Sequence, residues 1–137
     1  MHNLPDEVEV VVEVPKGSFL KRGYDGTLDY ISPMPAPFNY GSIPAIEAAD
    51  GDPLDAVLVG PRRPAGHRQT ATVMGIVHFI DAGDVDEKVV CGTGRLRTRD
   101  WLLINAFFAG YAVFKGSLNL LRGKNGKTRY RGGELIR

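Results

Sequence analysis

The chain has 137 residues and a single cysteine, Cys91, which excludes an internal disulfide framework and any cysteine-rich zinc site. A lone thiol accords with a reducing cytosol, and Cys91 itself, behind Val89 and Val90, reads as a small apolar residue in a strand. No apolar run reaches transmembrane length. The longest, Trp101 to Phe114, is interrupted by Asn105, and Met1 to Asp6 lack the basic and hydrophobic regions of a signal peptide. A cytoplasmic protein without membrane contact is therefore expected. There is no repeat, linker or low-complexity segment, so residues 1–137 are expected to form a single domain with its own core. Net charge is also small, at +1, but it is unevenly placed. Lys115, Arg122, Lys124, Lys127, Arg129, Arg131 and Arg137 crowd the C-terminal end against Glu134 alone, which leaves the body of the chain acidic.

What is abundant is acid at a turn. Asp50-Gly51-Asp52-Pro53-Leu54-Asp55 places three carboxylates in six residues and leads directly into the apolar run Ala56-Val57-Leu58-Val59. Glycine and proline bend the backbone, and the strand behind holds it. Ionised carboxylates are hard acceptors, and like charges so close are best tolerated around a hard cation. A surface turn whose aspartates cap nearby amides would use the same residues. The loop is not an EF-hand, because Pro53 and an apolar strand stand where further oxygen ligands would be needed; Mg²⁺, which keeps waters and shares ligands with phosphates, suits it better.

Around this turn the periodicity is mostly two. Glu7 to Val14 alternates, with Val8, Val10, Val12 and Val14 on one face and Glu7, Glu9 and Glu13 on the other. Short strands are expected at Phe19 to Tyr24 and Leu28 to Ile31, joined at Asp25-Gly26, and further strands at 55–59, 70–80 and 87–91. The proline-rich stretch Pro33 to Pro37 should cross a sheet edge in extended form. One helix should open at Thr98 or Asp100 and run to about Phe114, with Trp101, Phe107, Phe108 and Phe114 as core or subunit contacts. The expected fold is mainly β (α+β), an OB-like five-stranded β-barrel with one or two packed C-terminal helices. His67 and His78 stand alone and read as solvated or hydrogen-bonded side chains.

The order of motifs resembles the family I soluble inorganic pyrophosphatases. The matching segments are Val12-Glu13-Val14-Pro15-Lys16-Gly17-Ser18, Ser32-Pro33-Met34, Asn39-Tyr40-Gly41, the Asp50 to Asp55 turn, and Asp81 with Asp86 and Lys88. The resemblance implies hydrolysis of inorganic pyrophosphate at one barrel mouth, Mg²⁺ ions with Mn²⁺ as an alternative, a small-molecule phosphate substrate and a homo-oligomer. It also implies roles. Asp50, Asp52, Asp55, Asp81, Asp86 and Glu13 become metal ligands, and Asp52 the acceptor of a proton from the attacking water. Lys21, Lys88, Tyr111 and Arg22 become phosphate contacts, and Tyr40 and Lys21 join Asp52 at the reacting centre.

Five positions depart from the family pattern: Gly23, Tyr30, Ala36, Ala82 and Ala112 stand where a glutamate, an arginine, a tyrosine, an acid and a lysine would be expected. Each lost charge-assisted bond to phosphate is worth on the order of 1.5 to 3 kcal/mol. Arg22, Lys115 or the basic C-terminal stretch could supply replacements. A site re-shaped for another phosphate ester or anhydride, or a weak or inactive ligand-binding paralogue, is the alternative. A nucleic-acid module using Tyr130 between Arg129 and Arg131 is not expected, because the acidic body would repel phosphates.

Overall fold

The computed structural model describes residues 4–22, 30–121, 123 and 127–136, with the side chains of 20–22 and 30–33 left out. Strand β1 (Glu7–Val14) follows the predicted alternation, burying Val8, Val10 and Val12. Strands β4 (Asn39–Glu47), β5 (Pro53–Leu58), β6 (Arg68–Asp81) and β8 (Lys88–Gly92) complete a wall in the order β1, β4, β5, β8, β6, and β6 pairs back onto β1. This closed five-stranded barrel is the expected OB-like fold. Only the β5–β8 pair is parallel within that wall, so a crossover must separate them, and β6 with the short β7 (Asp84–Val85) provides it.

The barrel interior is filled by Val10, Val12, Ile43, Leu54, Leu58, Val73 and Val89, with Cys91 among them at 0% exposure. Outside the wall lies a second, aromatic layer. Helix α1 (Thr98–Leu121) sets Phe107, Phe108 and Tyr111 against Phe38 of the loop before β4 and Phe79 of β6. Phe108 stacks on Phe38 at 5.4 Å and meets Phe79 edge-on at 6.1 Å, geometries worth about 0.5 to 1.5 kcal/mol each beyond the area they bury.

The C-terminal part differs from expectation in two places. The helix does not stop near Phe114 but continues to Leu121, and at 24 residues it is by length and composition apolar enough to cross a bilayer. Its inner face is instead packed on the barrel. The basic C-terminal stretch is a strand, β9 (Arg129–Leu135), paired antiparallel with β6. Tyr130 on it is half-buried and donates to Asn105 Oδ1 at 2.5 Å, which removes it as a stacking platform. Of the one or two C-terminal helices expected, one is present among the described residues. Strands β2 (Phe19–Arg22) and β3 (Tyr30–Pro35) form a separate two-stranded sheet, where every strand is an edge and Pro33 and Pro35 are tolerated. The Asp25-Gly26 turn and Gly23 lie outside the described residues.

Candidate active site

Alternation along the wall decides which side chains leave the barrel. Leu54, Ala56 and Leu58 point inward, so Asp55 and Val57 face outward. The register carries this across neighbouring strands: Ser42 lies opposite Asp55, Asp55 opposite Lys88, and Lys88 opposite Val77. Glu13 joins the row from β1, where a register shift between Val12 and Val14 re-aims the strand end and Ser42 donates its hydroxyl to Glu13 at 3.1 Å. Glu13, Ser42, Asp55 and Lys88 thus form one continuous polar row.

Lys88 is its centre. The side chain is 1% exposed, and its ammonium bridges Asp55 Oδ2 at 2.7 Å and Asp86 Oδ2 at 2.9 Å. The rings of Phe79 and Tyr40 lie 5.4 and 5.6 Å from Nζ, close enough for cation–π attraction. Burial alone would raise the Asp55 carboxyl. The Lys88 charge and hydrogen bond, with side-chain bonds involving Asp86 and Tyr40, outweigh it and hold the group below its ordinary range. Among the described residues no such cation acts on Glu13, and shelter from water with the nearby Asp55 charge raises it despite the Ser42 bond.

The acidic turn is ordered by its own backbone. Gly51 takes φ +90°, the Asp52 N–H donates to Asp50 Oδ1 at 3.0 Å, and the Ala48 N–H donates to the Asp52 carbonyl at 2.7 Å. Asp50 and Asp52 are exposed at the start of β5.

Asp81 is elsewhere engaged. At the end of β6 it pairs with Lys115 of α1 and accepts from Asn119 Nδ2 and Thr128 Oγ1, both at 3.2 Å. Tyr111 is 5% exposed and stacked on Phe107 at 6.0 Å, inside the aromatic layer. Ala36 and Ala112 are buried in that same layer, so the two missing polar groups are replaced by core. Ala82 sits in the β6–β7 turn at φ +50°. Lys21 and Arg22 belong to β2, but their side chains lie outside the described residues, as does that of Tyr30. His67 bonds Gln69 at 2.7 Å, and His78 lies between Glu87 and Glu134.

As they stand, no three His, Cys, Asp or Glu groups among the described residues are placed to hold a metal ion. The chemistry of the donors still fits a hard divalent cation: Glu13, Asp55 and Asp86 are oxygen ligands on or against one row, and Asp50 and Asp52 are oxygen ligands in the turn that leads into β5. A cleft of about 630 Å³ lies apart from that row, lined by Lys16, Arg95, Arg97 and Arg99 at the start of α1.

Residues 10–105 match the family model described as "Inorganic pyrophosphatase". The inorganic pyrophosphatase of Picrophilus torridus is 41% identical over 97 residues, covering 65% of this chain and 55% of its own, and that of Gluconobacter oxydans is 37% identical over 97 residues, covering 65% and 56%. The chain spans about half the length of the curated relatives it matches. Among solved structures, an inorganic pyrophosphatase from Neisseria gonorrhoeae aligns with TM-score 0.72 and 29% identity over 95% of this chain and 83% of its own. That from Thermus thermophilus aligns with TM-score 0.73 and 25% identity, over 97% and 84%.

Proposed function

We propose that this chain, which belongs to the inorganic pyrophosphatase family, hydrolyses inorganic pyrophosphate to two phosphates at the row of Glu13, Asp55 and Lys88 and the adjoining Asp50-Asp52 turn. The observation that carries the proposal is Lys88, a buried ammonium held between two carboxylates and two rings at one end of an acidic face. Such a cation is pre-positioned and loses little freedom when a phosphate oxygen arrives.

Asp50, Asp52, Asp55, Asp86 and Glu13 would hold Mg²⁺, or Mn²⁺ in its place. When bound, the metal would neutralise phosphate oxygens and lower the pKa of a water towards neutrality. Asp52 takes the proton of the attacking water; the new P–O bond forms as the bridging P–O bond breaks, and the electron pair leaves on the second phosphate. Lys88 donates to the phosphate oxygens, and Tyr40, on the same wall, donates beside it. Lys21 and Arg22, the further phosphate contacts that the family resemblance implies, belong to β2. Tyr111 supports the wall through Phe79, and its ring belongs to the core.

The absent polar groups at Ala36 and Ala112 should make the enzyme slower than a fully equipped relative by orders of magnitude, at about 1.5 to 3 kcal/mol for each lost phosphate contact. We also propose a homo-oligomer in the cytoplasm. Leu102, Val113 and Leu120 recur on the outer face of α1 at 62%, 72% and 79% exposure, an apolar stripe that a second copy would cover. Light scattering on the purified chain tests this, and a monomer at micromolar concentration would sink it.

The activity is tested by phosphate release from pyrophosphate with Mg²⁺ or Mn²⁺, native chain against Asp52→Asn. Release by the native chain and its loss in the variant are expected. Equal rates in both, or no release by the native chain, would overturn the proposal and direct the search to organic phosphates.

A further inference from the structure

We infer that Lys115 is the resident counter-ion of Asp81, so that Asp81 in this chain is a structural carboxylate and not a metal ligand. The inference rests on the pyrophosphatase reading of the chain, because the resemblance to that family is what assigns a metal to Asp81.

Both oxygens of Asp81 are in use. Oδ2 faces the Lys115 ammonium, while Oδ1 accepts from Asn119 and from Thr128. Thr128 Oγ1 in turn accepts from the Ala82 N–H at 3.1 Å and from Asn119 Nδ2 at 3.0 Å, and the Gly83 N–H donates to the Lys127 carbonyl at 2.9 Å. One carboxylate therefore fastens the β6–β7 turn, the second half of α1 and the approach to β9. The Lys115 side chain is 5% exposed and that of Asp81 13%, so water competes little for either.

A divalent ion at Asp81 would have to displace the Lys115 ammonium and the Asn119 and Thr128 donors together, since both carboxylate oxygens already accept. Asp55 and Asp86 also face an ammonium, that of Lys88, but they stand at the row with Glu13, where carboxylates can pool around an ion, whereas Asp81 is engaged through both oxygens by Lys115, Asn119 and Thr128. The sequence shows how this arose geometrically. Lys115 lies three residues beyond Ala112 and four beyond Tyr111, hence on the same face one turn further along α1. Ala112 is 5% exposed in the aromatic layer, and the lysine one turn further on, Lys115, is the cation that Asp81 receives. Lys115 and Asn119 lie four apart, so one helix face delivers both the charge and the amide.

The test counts ions. Mn²⁺ bound per chain is measured by electron paramagnetic resonance on the metal-stripped native chain, Asp81→Asn, Lys115→Met and the double variant, with circular dichroism to establish that each is folded. Thermal unfolding is followed with and without Mn²⁺. Asp81→Asn should bind as many ions as the native chain, with affinity unchanged within about twofold. Lys115→Met should gain an ion, its unfolding midpoint should rise with Mn²⁺ more than the native one does, and the double variant should lose both effects. The inference is overturned if Asp81→Asn loses an ion, or if folded Lys115→Met gains none. Should Lys115→Met fail to fold, the count on Asp81→Asn decides alone. Phosphate release measured on the same samples keeps the two questions apart: a native chain that binds Mn²⁺ yet releases no phosphate sinks the activity, while the ion counts still decide the role of Lys115.

Discussion

Replacing Lys88 by methionine keeps the length and apolar stem of the side chain but removes the ammonium that separates Asp55 from Asp86. Breaking a buried pair by deleting one partner costs about 3 to 5 kcal/mol, because the charge left behind is uncompensated. Here two carboxylates are left facing each other, which raises the cost, but their side chains retain 26% and 15% exposure and can draw in water, which lowers it. A loss of about 3 kcal/mol at pH 7 is the expected balance. It should be measured by urea unfolding in metal-free buffer. The pH dependence provides the sharper test. In the native chain the folded Asp55 carboxyl lies below its unfolded value, so its stabilisation is present above the unfolded value and is lost as pH falls through the folded one. Without Lys88, burial and the Asp86 charge dominate, the carboxyl moves above its unfolded value, and the variant gains stability as pH falls towards about 4. The native and variant stabilities should therefore converge in acid. A loss below about 1 kcal/mol at pH 7, the range of an exposed ion pair, would refute the reasoning, as would a gap that widens on acidification.

Gly41→Ala should abolish folding or cost more than about 4 kcal/mol, since a Cβ there would lie 2.8 Å from the Val11 carbonyl carbon and closer still to its oxygen, in the β1–β4 pairing; soluble yield and unfolding midpoint check this, and a near-native midpoint would contradict it. Glu13→Gln should raise the metal-free unfolding midpoint slightly at pH 7 and leave it unchanged below about pH 4, because a carboxyl raised in the folded state weakens the fold as pH rises through its unfolded and then its folded value. A midpoint lowered at pH 7 would mean that Glu13 is stabilised by its surroundings. The Cys91 thiol, fully buried and pushed up to about 12, should react with a disulfide reagent at pH 8 only as fast as the chain opens, so its labelling rate should rise with urea; fast labelling without denaturant would place it outside the barrel.

Much of the barrel could be read from the chain because its inward faces announce themselves. Val8, Val10 and Val12 alternate with glutamates, and Leu54, Ala56 and Leu58 alternate around Asp55, so both the strand and the outward aspect of the acid follow from spacing. Strand β4 gave no such signal. Asn39, Gly41, Ser42 and Pro44 look like a loop, yet Asn39 is buried because it accepts the Lys16 and Arg63 N–H groups and donates to the Leu58 and Pro61 carbonyls. Pro44 falls in the register gap between Ile43 and Glu47, where no ladder bond is required of it. These are partnerships with residues far along the chain, and no local window contains them.

Strand β9 and the second half of α1 were illegible for a related reason. Arg129 to Leu135 buries no residue outright, and its two glycines, Gly132 and Gly133, read as a breaker. Gly133 is there because the Trp101 ring and Asn105 press on it: a Cβ would lie 2.7 Å from Trp101 Cζ2. The glycine that argues against a strand in isolation is what lets the helix and the strand approach. Lys115 and Gly116 likewise seem to end the apolar run of α1, since a charge and a glycine usually mark a terminus. The helix continues because the charge is neutralised inside the protein by Asp81, from a strand that ended more than thirty residues earlier. That ion pair extends the helix, fixes the turn after β6 and occupies a carboxylate that motif spacing alone assigns to the metal. The extra helical turns and the altered ligand set therefore have one cause, and Lys115→Met should change the two together, while Asp81→Asn should loosen the end of the helix and leave the ion count as it is.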